Sequence, residues 1–230
     1  MAIVIEEVVT GSATSGESVS LTSWTPQAGE FVLLFVAQRD ESVAISVSGN
    51  NLSWTELQNC DNVQGQCGIA VWKGEGGSPA AGQITVTVTG NAKPVVCAAL
   101  RISGADGTSP VDTSAQDGGP DPDDDDMIIS ITTGAENALV IAGGSHRTAT
   151  FTVPVGETGI SINSLAGSGG DATRLSVWSE QASSTGSYQL GDTADLSTDT
   201  DWCCAAVSVA PAAAGGGIGV LRRRREGCGG

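Results

Sequence analysis

A stretch in the first half of the chain returns, in thinner form, about a hundred residues later. Ile69-Ala-Val-Trp72, Gln83-Ile-Thr-Val-Thr-Val-Thr89 and Val95-Val-Cys-Ala-Ala-Leu-Arg-Ile-Ser103 are answered by Leu175-Ser-Val-Trp178, Tyr188-Gln-Leu190 and Trp202-Cys-Cys-Ala-Ala-Val-Ser-Val-Ala210. Trp72 matches Trp178 at an offset of 106, and Cys97-Ala-Ala matches Cys204-Ala-Ala at 107. An internal duplication restricts the fold to two related units, or one unit built from both copies.

The repeated pieces read as strands. Thr85-Val-Thr-Val-Thr89 has the period-two alternation of a strand with one wet face. Phe31-Val-Leu-Leu-Phe-Val-Ala37 is apolar on both faces, as a central covered strand must be, and Ala138-Leu-Val-Ile-Ala142 takes its place in the second copy. Turn signals such as Gly49-Asn-Asn51 and Gly74-Glu-Gly-Gly-Ser-Pro79 separate the runs. The 32 glycines, and the scarcity of helix formers beside Thr, Val and Ser, fit an all-β chain. Eight strand-like runs in the first half predict two tandem, jelly-roll-like β-sandwich halves. A single two-sheet sandwich built from both halves is the other arrangement. The expected boundaries are a first sandwich over 1–110, an acidic Pro/Asp linker over 111–126, a second sandwich over 127–211, and a flexible Gly/Arg-rich tail over 212–230.

Faces follow from matched positions. Arg101 and Ser208 set the outward rows Cys97/Ala99/Arg101 and Cys204/Ala206/Ser208, whose small side chains let another layer approach, either the other half or a partner subunit. Val96, Ala98, Leu100 and Ile102, and Cys203, Ala205, Val207 and Val209, then face the core of their own half. The same logic turns Leu175 and Val177 inward and Trp72 and Trp178 outward. These tryptophans become either an interface between halves or a platform for stacking sugar rings.

Charge is uneven. Four of the 10 basic residues are Arg222, Arg223, Arg224 and Arg225, and of the 26 acids only Glu226 lies beside them. The rest of the chain is strongly acidic, which disfavours binding to nucleic acid or to anionic membranes. The arginine run is a candidate contact for an acidic protein surface, including a neighbouring copy of this chain. No apolar run is long enough to span a membrane, and no export signal is visible.

Chemistry is sparse. The single histidine, His146, lies in Gly-Gly-Ser-His-Arg with no G-x-S-x-G pattern to supply a nucleophile. Asp121 and Asp123 to Asp126 offer hard oxygens for calcium but lack the alternating spacing and internal glycine of a structured loop. The six cysteines lack the paired spacing of a zinc site. Cys60 and Cys67 flank a polar loop, where either a disulfide or two free thiols is compatible with a hairpin. The adjacent Cys203 and Cys204 face opposite sides of a strand. The expectation is a non-enzymatic chain without cofactor or metal.

Leu52-Ser-Trp-Thr-Glu-Leu57, Ile69–Trp72, Gly82–Gly90, Ala98-Ala-Leu-Arg-Ile-Ser-Gly-Ala-Asp-Gly-Thr-Ser-Pro-Val-Asp112 and Asp201–Pro211 together resemble a β-sandwich module found in bacterial surface proteins and in virion proteins of tailed phages. The resemblance spans about residues 17–211 and carries no active-site residues. It implies display, adhesion or particle building: a virion structural protein (head decoration, fibre or spike), made in the host cytoplasm and acting as a homo-oligomer with other virion proteins. An adhesive, carbohydrate-binding module, extracellular or at the cell surface, is the alternative.

Overall fold

The structure is a computed structural model that describes residues 2–15, 18–39, 44–62, 64–76, 78–90, 93–119 and 124–213. It is nearly all β, as the alternating runs and turn residues require. The first copy contributes β1 (Val4–Ala13), β2 (Ser18–Ser20), β3 (Phe31–Arg39), β4 (Ile45–Ser48), β5 (Ser53–Asp61), β6 (Cys67–Glu75), β7 (Thr85–Val88) and β8 (Val95–Ser103). The second contributes β9 (Val111–Asp117), β10 (Ile129–Thr133), β11 (Ala138–His146), β12 (Thr158–Ala166), β13 (Thr173–Ala182), β14 (Gly186–Leu190) and β15 (Trp202–Val209).

The two halves repeat one strand order in their large sheets. A five-stranded sheet ordered β1-β8-β3-β6-β5 is covered by a small sheet β2-β7-β4, and its counterpart β9-β15-β11-β13-β12 is covered by β10-β14. Trp72 pairs with Leu34 and Trp178 with Ala142, so the two tryptophans occupy equivalent places on the strand beside the central one. The Greek-key alternation between large and small sheets is jelly-roll-like.

The halves are not separate bodies. The two five-stranded sheets pack face to face, giving four layers and three cores. Phe31, Leu33, Phe35, Val96, Leu100, Val177 and Val207 belong to one central core drawn from both halves. Val32, Leu34, Val36, Cys97 and Ala99 lie under the three-stranded sheet. Val140, Ala142, Trp178, Cys204 and Ala206 lie under the two-stranded one. The fully apolar β3 runs between two cores and is buried at all nine positions. Contacts across the centre come in swapped pairs: β6 meets β15 and β13 meets β8, β3 meets β13 and β11 meets β6, β1 meets β12 and β9 meets β5. That exchange is the mark of a two-fold arrangement, so the chain is a fused pseudo-dimer.

Two expectations are corrected here. The rows Cys97/Ala99 and Cys204/Ala206 are not where the halves meet. They lie beneath each half's own small sheet, and the halves join through the opposite rows, Val96/Ala98/Leu100/Ile102 and Cys203/Ala205/Val207/Val209. A strand covered on both faces gives sequence no sign of which layer is the partner half. The proposed 111–126 linker is also too long. Val111–Asp117 is an edge strand paired with β15, and Asp124 and Asp125 pair with residues 196–200. The Asp112 carboxylate accepts hydrogen bonds from Thr133 Oγ1, Gly134 N and Ser208 Oγ, which ties β9 into the second half.

Glycine sits mid-strand at Gly143 and Gly144 for a packing reason. A Cβ on Gly143 would lie 2.3 Å from the Phe35 ring, and one on Gly144 2.3 Å from Met127 Sδ. We therefore expect Phe35→Ala to destabilise the fold by about 3–5 kcal/mol. Gly143→Ala should cost roughly 1–3 kcal/mol in the native background and much less in a Phe35→Ala background. Urea melts of the two single variants and the double variant measure this, and strictly additive losses would contradict the contact.

Candidate functional site

His146 ends β11 and is fully buried. Its Nδ1 lies 3.1 Å from the Ala149 carbonyl, and its Nε2 lies 3.1 Å from Ser176 Oγ. A carbonyl only accepts, so Nδ1 carries the proton and Nε2 accepts from the Ser176 hydroxyl. Ser176 Oγ accepts in turn from the Asn163 backbone N–H at 3.1 Å. The pair has the contact of a serine–histidine dyad, but a carbonyl stands where an orienting carboxylate would, and Ser176 is also fully buried. Burial, with the nearby positive Arg174, pushes the His146 pKa down to about 3 against the opposing pull of the Ala149 carbonyl. The geometry therefore describes a satisfied, neutral core histidine.

At one end of the molecule the two halves are pinned by equivalent arginines. Arg39 ends β3 and Arg147 follows β11, and both donate to the carbonyl of Gly170, through Arg39 Nε at 3.3 Å and Arg147 Nη2 at 2.9 Å. Arg39 also donates to the carbonyl and side chain of Gln66. Arg147 pairs with Asp201 at 2.5 Å, whose other oxygen accepts from Asn62 of the first half at 3.1 Å.

The acids of the second half gather around the loop after β14. Glu157 Oε1 accepts from Gly191 N, Asp195 Oδ1 from Met127 N, and Asp126 Oδ1 from Ala194 N. Burial and then the neighbours Glu180, Asp195 and Asp192 push the Glu157 pKa up to about 7, although Gly191 N–H opposes this. Burial, with Asp126 and Asp192 close by, pushes Asp195 up to about 6. Among the described residues, no lysine or arginine forms an ion pair with Glu157, Asp192 or Asp195. The calcium reading finds no support among them: no group of three or more His, Cys, Asp or Glu is placed to hold a metal. Asp124 instead accepts from Trp202 Nε1 at 2.6 Å. Asp121 and Asp123 lie outside the described residues.

The remaining candidate residues are placed as follows. Trp178 is fully buried in the second outer core, its ring centroid 4.5 Å from that of Phe151. No sugar can stack on it, nor does it lie between the halves. Trp72 is partly buried against the first outer core and is likewise absent from the central core. Outward from the centre means inward to a second core in a four-layer fold, which a reading of one core per half misses. Cys60 and Cys67 are free, buried thiols. Cys60 lies opposite Ile69, so Cys67 is its diagonal neighbour, too far for the short Cβ separation of a disulfide. Cys203 and Cys204 do face opposite cores. Arg222 to Arg225 lie outside the described residues. Gly143, Gly170, Asp112 and Asp195 were missed from sequence, and only the Gly-Gly interruption of an apolar strand pattern was there to signal the first.

Comparison with protein-family models, with curated proteins and with solved structures finds no match.

Two titrations with opposite signs follow. His146 has a folded pKa below its unfolded value, so its contribution to stability is lost as pH falls from about 6.5 towards 3. Glu157 and Asp195 have raised pKa values, so their protonated forms stabilise the fold below the unfolded carboxyl range, and that contribution is lost as pH rises to about 7 for Glu157 and about 6 for Asp195. Chemical denaturation across pH 4–8 should show His146→Asn flattening the acid-side loss, and Glu157→Gln gaining on the native chain as pH rises. The thiols supply a further check. Burial pushes Cys97, Cys203 and Cys204 above the ordinary thiol range, so maleimide with peptide mapping should label them only after unfolding.

Proposed function

We propose that this chain is a non-enzymatic structural protein of a tailed-phage particle that works through protein–protein contacts. The observation that carries the reading is the fused pseudo-dimer. Two sandwiches share one apolar core and are pinned at Gly170, which favours a stiff block that bears load or spacing over a hinged two-domain enzyme. The groups with reactive potential, His146, Ser176 and the cysteines of the strands, are buried. The resemblance of Leu52–Asp112 and Asp201–Pro211 to virion and surface modules points the same way. The expected partners are other virion proteins and copies of this chain, and the expected location is the particle. Nothing in the placement of Trp72 and Trp178 favours the sugar-binding alternative.

The reading predicts that the chain is recovered in density-purified particles at a fixed copy number. It should also cross-link to a virion protein or to itself through residues of the outer sheets. Recovery only in the soluble fraction of the lysate would reject it.

A further inference from the structure

At the end where the arginines pin the halves, the central core holds thiols from both of them. Cys60 and Cys67 come from the first half and Cys203 from the second, and all three are buried. Cys67 opens β6 and Cys203 lies in β15, two strands that meet across the centre. The two thiols are in hydrogen-bonding contact. The Cys67 thiol also donates to the Ser145 carbonyl at 3.8 Å, and Ser145 is the residue paired with Cys203 across β11 and β15. A cysteine side chain is short, so the two sheets come closer here than the usual face-to-face spacing of about 10 Å. A disulfide needs such an approach. Small residues permit it: Ala37 and Ala205 line the same core and Ser145 faces it.

The backbone around the pair is fixed. Asn62 Oδ1 accepts from Cys67 N at 3.1 Å, and Asn62 Nδ2 donates to Asp201 Oδ1 at 3.1 Å, two residues before Cys203. One buried side chain thus ties the start of β6 to the approach to β15. The other strand cysteines are turned elsewhere. Cys60 Sγ donates to the Asp61 carbonyl at 3.5 Å, and Cys97 and Cys204 face the two outer cores. The pseudo-two-fold supplies a comparison within the molecule. The equivalents of Cys67 and Cys203 are Thr173 and Val96, where β13 meets β8, and that contact holds no thiol. Two cysteines therefore face each other on one side of the two-fold alone.

We propose that Cys67 and Cys203 are an oxidative cross-linking site, where exchange with a low-molecular-weight disulfide such as oxidised glutathione joins the two halves covalently. The Cys67 thiolate attacks one sulfur of the small disulfide, and a glutathione thiolate leaves. The Cys203 thiolate then attacks the Cys67 sulfur of the mixed disulfide and expels the second glutathione. Two protein thiols are oxidised to one S–S bond, the small disulfide is reduced to two thiols, and each cysteine proton passes to a departing glutathione. Both sulfurs are fully buried, so exchange proceeds while the pinned end is open, and closure then shields the bond from reductant. The bond closes the loop from 67 to 203 and so restricts the unfolded chain. This goes beyond the particle-building role and does not rest on it.

The test treats the reduced full chain with oxidised glutathione at mildly alkaline pH, once folded and once during refolding from urea. Peptide mapping without reductant should place a disulfide between Cys67 and Cys203. After unfolding, maleimide should then miss these two cysteines and label them again once reductant is added, while Cys97 and Cys204 label throughout. The most protected amides of β3 and β11 should exchange at least tenfold more slowly in the oxidised chain than in the reduced one. Cys60→Ser should cross-link as the native chain does, and Cys67→Ser should leave Cys203 free. Three results would overturn the proposal: Cys67 and Cys203 staying reduced under both conditions, glutathione retained on either without closure, or a bond from Cys60 to either. Mapping of the native chain alone separates these, so the proposal stays testable even where Cys67→Ser folds poorly.

Discussion

The contact of Phe35 with Gly143 sets the terms for everything else in this fold. The two residues occupy equivalent positions in the duplicated central strands, each one step beyond the residue that faces the equivalent tryptophan. In one copy the position carries a phenylalanine ring. In the other it carries none, and the ring fills the space a Cβ would need. A duplicated unit facing itself with a phenylalanine on both sides would overfill the centre, and with glycine on both sides it would leave a void. Dense apolar interiors tolerate neither. The asymmetry between the copies is therefore what lets the two large sheets approach, and the central core of valines, leucines and isoleucines follows from it.

From that contact the layers build outward. Burying the central face of each large sheet leaves its other face apolar, and each half covers it with a small sheet of its own. Hence β3, with no polar position before Gln38, and the alternating β7, with one wet face, are products of depth in a single stack. At the rim, where apolar packing ends, polar groups take over. Arg39 and Arg147, again equivalent positions, converge on one carbonyl, and Asp201 joins Arg147 to Asn62 across the halves. The pair is partly buried and hydrogen-bonded on both sides, so removing either partner would leave the other charge uncompensated.

Much of this was legible in the sequence, and the illegible part has a physical cause. The duplication, the strand class, the centrality of Phe31–Ala37 and the opposed faces of Cys203 and Cys204 are properties of local pattern. Which apolar face meets which partner is not, because Val96 and Cys97 are equally buried and alternation cannot rank two cores. The same blindness put Trp178 on the surface. The edge strand β9 was hidden because Val111-Asp-Thr-Ser-Ala-Gln-Asp117 has few apolar residues. It is held by Asp112 and by backbone pairing with β15, neither of which composition reveals. The site was less legible still. His146 drew attention as a lone titratable group, but its burial and its bond to the Ala149 carbonyl are tertiary facts.

A stiff, doubled sandwich stands or falls on whether its halves are one cooperative unit. Hydrogen exchange as a function of urea, resolved by segment, measures the opening free energy of β3 and β8 separately from that of β11 and β15. The shared core predicts that all four strands open together, with one free energy and one urea dependence. Two distinct opening free energies, with the second half exchanging while the first stays protected, would contradict it.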